Sequence, residues 1–158
     1  MDPSPVFTSD QLLDHWLGHR RLTRRTIEAF PDDESFTTFS VGGMRPFANL
    51  VNEMLKTQGP TLEGVVASGN WPYDQSAPPA TRAEALDLWD AETERIEALW
   101  PQIPEGRFQE TDTAFGQWTM RVGDLLFYVI DNEIHHRGQG YVYLRALGVE
   151  PPFYPDRS

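Results

Sequence analysis

The chain contains no cysteine among its 158 residues. This absence excludes disulfide bonds, zinc clusters held by thiolates and a cysteine nucleophile. If thiol chemistry takes place in this protein, the thiol has to arrive on a small molecule.

Long apolar runs are also missing, since no stretch approaches the roughly 20 residues that a membrane-spanning helix needs. The opening segment MDPSPVFTSD has neither the basic nor the apolar region of a secretory signal. We therefore expect a cytoplasmic protein that does not interact with membranes.

Positive charge is scarce. Lys and Arg number 13 against 24 Asp and Glu, so the net charge is -11. This balance opposes binding to nucleic acids and to anionic membrane surfaces. We interpret the one basic run, HRRLTRR at 19–25, as a solvated helix face that pairs with acidic neighbours. DNA binding, which only this run supports, ranks lowest among the functions considered.

Hydrophobic residues make up 39% of the chain, which is typical of a globular protein, and the length suits one domain spanning 1–158. The first helical pattern follows Ser9, which we expect to be its N-cap. Its apolar stripe includes Trp16 and Ile27 and takes in His19, whereas His15 falls at the margin.

Three further segments have helical spacing. A helix is predicted to start at Pro46, with Gly59 and Pro60 kinking it or splitting it in two. Another is capped by Thr81, with Glu84 completing a capping box. Residues 101–120 are irregular, with a short extended piece. The last helix runs from about residue 122 to 147 and stops at a glycine.

Four long helices with short connections predict an all-α protein, an antiparallel four-helix bundle. In the last helix, two polar side chains, Asn132 and His136, fall one turn apart in an otherwise apolar inward stripe, while His135 lies at its margin. Buried polar groups need partners. Glu53 and His19 border the stripes of two other helices, so the group predicts either a divalent metal site or a hydrogen-bonded core histidine.

A second apolar face on the same helix carries Phe127, Ile130, Ile134 and Tyr141. A helix that is apolar on two faces must bury both. We expect a homodimer to cover the second face, or else the segment at 101–118 to fold over it.

The string DNEIHHRGQGYVYLRALGVEPP resembles the last-helix signature of the DinB/YfiT-like superfamily of metal-dependent helical-bundle proteins. GGMRPFANLVNEML and HWLGHRRLTRRTIEAF resemble the family's second and first helices, so the resemblance covers about 11–152. It implies a four-helix bundle that holds zinc or nickel with three histidines, one on the second helix and two in an H-x-x-x-H pair on the last.

Carried over by position, the last of these histidines is His136, and the other two fall on Asn132 and Glu53. This donor set is more oxygen-rich than three imidazoles and should bind zinc or nickel less tightly. The resemblance gives His19 the role of a general base near the ion, or of a further ligand. Arg137 and Gln139 flank the stripe and are expected to stabilise the bundle or to bind the substrate's polar part.

Two functions follow from this resemblance. The first is a metal-dependent enzyme, a transferase, isomerase or hydrolase that uses a low-molecular-weight thiol such as bacillithiol or mycothiol as a substrate. The alternative is a non-catalytic, stress-associated dimer that binds a small molecule and has lost the metal. In the alternative, Glu53, Asn132, His136 and His19 form a hydrogen-bonded cluster.

Overall fold

The computed structural model describes residues 5–158. The first four residues of the predicted 1–158 domain, and of the opening segment that lacks the pattern of a secretory signal, lie outside the described part. The chain is mostly helical, with one two-stranded antiparallel sheet. The elements are α1 (Ser9–Ala29), α2 (Ser35–Thr38), α3 (Phe47–Ala67), α4 (Arg82–Leu99), β1 (Thr111–Ala114), β2 (Trp118–Arg121) and α5 (Val122–Ala146). Of the helices in 5–158, none is both long and apolar enough to cross a membrane.

Helix α1 and its N-cap begin one residue earlier than predicted. Thr8, not Ser9, is the N-cap: its backbone is extended, and its hydroxyl accepts a hydrogen bond from the N–H of Gln11 at 3.2 Å. The Gln11 side chain accepts in return from the N–H of Thr8 at 2.8 Å, which completes a capping box. Ser9 is already helical, and the prediction was wrong by one position.

Helix α3 follows Pro46 as expected but is not split at Gly59 and Pro60. The N–H of Gly59 donates to the carboxylate of Glu92 on α4 at 2.6 Å. Pro60 has no backbone N–H and therefore needs no hydrogen-bond acceptor. A Cβ at Gly59 would collide with the Glu92 side chain. The pair therefore docks α3 on α4 while the helix continues.

The capping box predicted at Thr81 and Glu84, at the start of α4, is confirmed in part. Thr81 accepts from the N–H of Glu84 at 3.1 Å, but the Glu84 carboxylate accepts from Ala80 at 2.7 Å instead of closing the box on Thr81. Helix α5 ends before Gly148, which has a φ of 79°. The extended piece expected in 101–120 is a hairpin in which Thr111 pairs with Arg121 and Ala114 with Trp118.

Each long helix passes through three layers. One apolar cluster includes Phe30, Phe47, Trp89 and Tyr143, and the other includes Trp16, Leu62, Trp100 and Val129. A polar belt lies between them, formed by buried residues from all four long helices: His19, Arg20, Thr23, Gln58, Glu92, Glu133, His136 and Arg137. Contacts join α1 to α4 and α5, and α3 to the same two helices.

Glu133 is the centre of this belt. Its carboxylate accepts hydrogen bonds from Thr23 at 2.6 Å, Gln58 at 2.7 Å and the Trp16 indole at 3.3 Å. The guanidinium of Arg20 donates to the carbonyl oxygen of the Gln58 side chain, so a neutral amide connects the buried cation and anion. Burial raises the pKa of Glu133. These hydrogen bonds compensate for the desolvation of a carboxylate in the core.

The basic run at 19–25 is not simply a solvated face. Arg20 is 1% exposed and stacks 3.9 Å from the centre of the Trp89 ring, which corrects the interpretation. Arg24 does pair with an acid, Asp90, at 2.7 Å. Arg21 and Arg25 instead donate to backbone carbonyls of residues 156–158. The run therefore packs into the core through Arg20 and binds the C-terminal segment through Arg21 and Arg25.

The second apolar face of α5 is covered in part by this chain itself. Ile130 is 2% exposed inside the cluster that holds Trp16. Phe127 packs edge-on against Phe7, with ring centres 5.7 Å apart, and the Tyr141 hydroxyl donates to the carbonyl of Pro152. Phe127 is still 40% exposed, and the homodimer stays a prediction.

Candidate functional site

Three of the predicted site residues meet in the groove between α3 and α5. The Nε2 atom of His136 lies 2.9 Å from Oε1 of Glu53, and Nδ2 of Asn132 lies 3.5 Å from the same oxygen. His136 is 5% exposed, whereas the Glu53 side chain is 36% exposed and reaches toward solvent. The cluster therefore closes the groove at a point where α3 and α5 face each other.

Two further residues complete the cluster. Arg45, just before α3, places a guanidinium nitrogen 2.5 Å from Oε2 of Glu53, and Oε1 of Gln139 lies 2.8 Å from Nδ1 of His136. Both imidazole nitrogens thus lie within hydrogen-bond distance of a side-chain oxygen. Burial raises the pKa of Glu53, but hydrogen bonds from His136 and Arg45 outweigh it and hold the pKa below its ordinary value.

Sequence reasoning noted Gln139 but missed Arg45, because a side chain outside the helix has no face that periodicity can assign. The available signal was its position, one residue before the proline that starts α3. Arg45 matters because it supplies the positive charge next to Glu53 that an ion would otherwise supply.

The donor set fits zinc or nickel poorly. It offers one imidazole, and both nitrogens of that ring already have partners. It offers one carboxylate, and both of its oxygens are bound by His136 and Arg45. Within this donor set, the Oδ1 atom of Asn132 is the one buried acceptor without a partner. Across residues 5–158, no group of three or more His, Cys, Asp and Glu side chains is placed to hold an ion.

His19 lies elsewhere in the polar belt, against Arg137 and Arg157. Its Nδ1 accepts from Arg157 at 2.6 Å and from Arg137 at 3.1 Å, and the side chain is 4% exposed. Burial, with the charges of Arg137, Arg157 and His15, lowers the pKa of His19 to about 3. The ring is therefore neutral, and its hydrogen bonds do not connect it to Glu53, Asn132 or His136.

A cavity of about 300 Å³ opens in the same groove. On α3 it begins at Lys56 and Thr57, about one turn beyond Glu53, and on α5 at Tyr128, one turn before Asn132. The hydroxyl of Thr57 donates to the backbone carbonyl of Glu53, which ties the two turns together. The hairpin and the loop after α3 supply the outer wall. Because these segments have no helical periodicity, the cavity could not be predicted from residue spacing.

Comparisons with known proteins agree with this architecture. The DinB family model matches residues 5–156. The uncharacterized protein YjoA of Bacillus subtilis (strain 168) is 30% identical over 153 residues, covering 94% of this chain and 97% of its own length.

Two crystal structures share the fold. The DinB-like YjoA protein of Bacillus subtilis superposes with a TM-score of 0.73 at 21% identity, over 91% of this chain and 97% of that one. A DinB-like protein from Bacillus cereus ATCC 10987 superposes with a TM-score of 0.72 at 19% identity, over 91% of this chain and 95% of that one. With the family model spanning nearly all of the described residues, the chain belongs to the DinB family.

Proposed function

We propose that this protein binds a small, largely apolar molecule in the groove between α3 and α5, and that binding needs no resident metal. The cavity next to the Glu53–His136 pair carries this proposal, because its volume and its mostly apolar walls are those of a small-molecule site. The proposal takes the four long helices as an antiparallel bundle, in keeping with the opposite order in which α3 and α5 meet the two apolar clusters.

The polar end of the groove gives the ligand its orientation. The imidazole of His136 and the carboxylate of Glu53 hold each other, and Arg45 balances the carboxylate's charge. Asn132 then presents an acceptor, Oδ1, with no partner of its own. A hydroxyl or N–H group on a ligand that extends from the cavity would satisfy that buried oxygen.

Binding of N-phenyl-1-naphthylamine, a neutral probe that fluoresces in apolar surroundings, tests the proposal. We expect saturable binding to protein stripped with EDTA, with the same affinity after zinc is added. Thr57→Trp places a large ring in the groove. It should weaken binding of the probe by roughly tenfold or more, because the volume of the cavity is at the small end of the range for ligand sites.

Leu88→Trp is the matched control, since this α4 side chain is already 42% exposed and does not line the cavity. It should bind the probe like the wild type. Circular dichroism confirms that both variants fold. Absence of saturable binding, or equal affinity in the Thr57→Trp protein, would contradict the proposal.

A metal-dependent thiol-using enzyme is the second candidate, and the unpartnered Oδ1 of Asn132 is the observation that favours it. In that case Glu53, Asn132 and His136 would hold a divalent ion, which would supply Lewis-acid chemistry to a thiol substrate. A rise of several degrees in melting temperature with micromolar zinc or nickel, absent from His136→Ala, would establish this candidate over the first.

A further inference from the structure

We infer that the ligand of this groove is a flat aromatic molecule bearing one anionic group, with its ring among the cavity's aromatic side chains and its anion at Lys56. This inference rests on the proposed function and adds the ligand's chemical class. A cavity of about 300 Å³ accommodates one or two fused rings.

Lys56 supplies the positive charge. It is the only lysine of the chain and lines the cavity three residues after Glu53. The arginines of the groove's polar end and of the neighbouring helix are engaged: Arg45 with Glu53, and Arg95 with Glu63 and Glu92. Among the ion pairs of residues 5–158, by contrast, none involves Lys56. Its ammonium is therefore available to an anion at the edge of an apolar site.

The aromatic walls come mainly from the hairpin and the preceding loop. Phe115 lies 5.3 Å from Tyr73 and 6.2 Å from Trp118, measured between ring centres, and Tyr128 completes the cavity from α5. Edge-to-face rings at these distances accept a further flat ring by offset or edge contact.

The backbone at Phe115 is strained in a way that places this ring in the wall. Phe115 and Gly116 have φ of 52° and 67° at the two central positions of the turn from Ala114 to Gln117. Positive φ at both positions is the pattern of a type I′ turn, which favours Asn-Gly, and it is unusual for a bulky residue. Strain that a better turn residue would remove is typical of a functional position.

Asp74 is the cavity's acidic group, but it is engaged within its own loop. Its Oδ1 accepts from the N–H of Ser76 at 2.8 Å, and hydrogen bonds from Ser76 hold its pKa below the ordinary value. A carboxylate that accepts one hydrogen bond can accept others, and the charges of Lys56 and Arg95 also lower the pKa of Asp74. A cationic ligand at Asp74 is therefore the alternative that a titration with 2-naphthylmethylamine tests.

Calorimetric titrations with 2-naphthoate and its neutral isostere 2-naphthamide test the inference. We expect the anion to bind roughly tenfold more tightly, because a charge-assisted contact replaces a neutral one. Lys56→Met should abolish that preference while Lys56→Arg keeps it. Phe115→Asn suits the turn but removes the ring, so it should weaken both compounds.

Three results would overturn the inference while leaving the proposed function standing. Equal affinity for the two compounds would remove the role of Lys56, and tighter binding of 2-naphthylmethylamine would assign the site to Asp74. Binding of N-phenyl-1-naphthylamine but of neither naphthyl compound would remove the ligand class. If none of these compounds binds, N-phenyl-1-naphthylamine included, both the inference and the proposed function are overturned. The comparison between naphthoate and naphthamide uses wild-type protein, so it stands even if a variant fails to fold.

Discussion

The Nε2 atom of His136 and the Oε1 atom of Glu53 lie 2.9 Å apart across the groove between α3 and α5. This separation is that of a hydrogen bond, and the second carboxylate oxygen is bound by Arg45 at 2.5 Å. The charges of the cluster therefore balance within the protein. Where the family resemblance implies a metal held by three histidines, this chain has a histidine, a carboxylate and an arginine that satisfy one another.

Glu133 should be the most sensitive position of the polar belt. Glu133→Ala leaves the side chains of Trp16, Thr23 and Gln58 without their buried acceptor. We expect a loss of about 3 to 5 kcal/mol in the free energy of unfolding, measured by guanidinium denaturation. Glu97→Ala on the exposed face of α4 is the control and should stay within about 0.5 kcal/mol of wild type. A change at Glu133 as small as that of the control would show that the belt contributes little.

His19 should make stability depend on pH. Its pKa is about 3 in the folded protein against an ordinary value of 6.5, so the unfolded chain binds the proton more readily. The stabilisation is complete above pH 6.5 and is lost as pH falls toward 3, at about 1 kcal/mol per pH unit. His19→Asn, which keeps an acceptor for Arg137 and Arg157, should remove this part of the pH dependence in urea melts at a series of pH values. His135→Asn, at an exposed position, should leave it unchanged. Identical profiles for wild type and His19→Asn would rule out the neutral buried ring.

Two glycines of α5 provide a matched pair for the packing of α3 against α5. A Cβ at Gly140 would come 2.5 Å from the Phe47 ring, whereas a Cβ at Gly138 meets nothing within 4 Å. Gly140→Ala should cost about 1 to 3 kcal/mol, because Phe47 is fully buried and cannot move freely. Gly138→Ala should be neutral or stabilise by up to about 1 kcal/mol through helix propensity. Thermal denaturation of the two proteins measures the difference, and equal melting temperatures would contradict the close approach.

Introducing two histidines should create a three-histidine metal site in the groove. The side chains of Glu53, Asn132 and His136 already meet at one point, so Glu53→His with Asn132→His places three imidazoles there and frees Arg45 from its ion pair. We expect the double variant to retain close to one zinc per chain after dialysis, measured by elemental analysis. The same variant with His136→Ala should lose the zinc. A double variant that retains no zinc would show that the helices do not hold these positions in ligand geometry.

The helices were predictable from the sequence because caps and apolar spacing act locally. Helix α5 has the predicted bounds within one residue, and the start of α3 at Pro46 follows from proline chemistry. The split offered as one outcome at Gly59 and Pro60 was wrong, because α3 continues through both residues. The N–H of Gly59 has a hydrogen-bond partner, Glu92, that lies on another helix 33 positions away in the chain.

The residues of the candidate site that lie on helices could be predicted from the sequence, and those outside them could not. Periodicity and the family resemblance put Asn132 and His136 on one stripe and Glu53 opposite them, and the structure brings these three together. Glu133 was missed, although it shares a face with Ile130 and Arg137, because a charged residue between apolar neighbours is usually solvated. The roles of Arg45 and Lys56 depend on which loops fold over the groove, and no pattern in the sequence specifies that.

Calorimetric titration of zinc into the chelator-stripped wild-type protein tests the central claim most directly. The Glu53→His, Asn132→His variant is the positive control, and N-phenyl-1-naphthylamine binding is measured on the same samples. We predict that the wild type takes up no zinc at micromolar concentration while it binds the probe with full affinity. Uptake of one zinc per wild-type chain, lost in His136→Ala, would contradict the account and establish a metal centre at Glu53, Asn132 and His136.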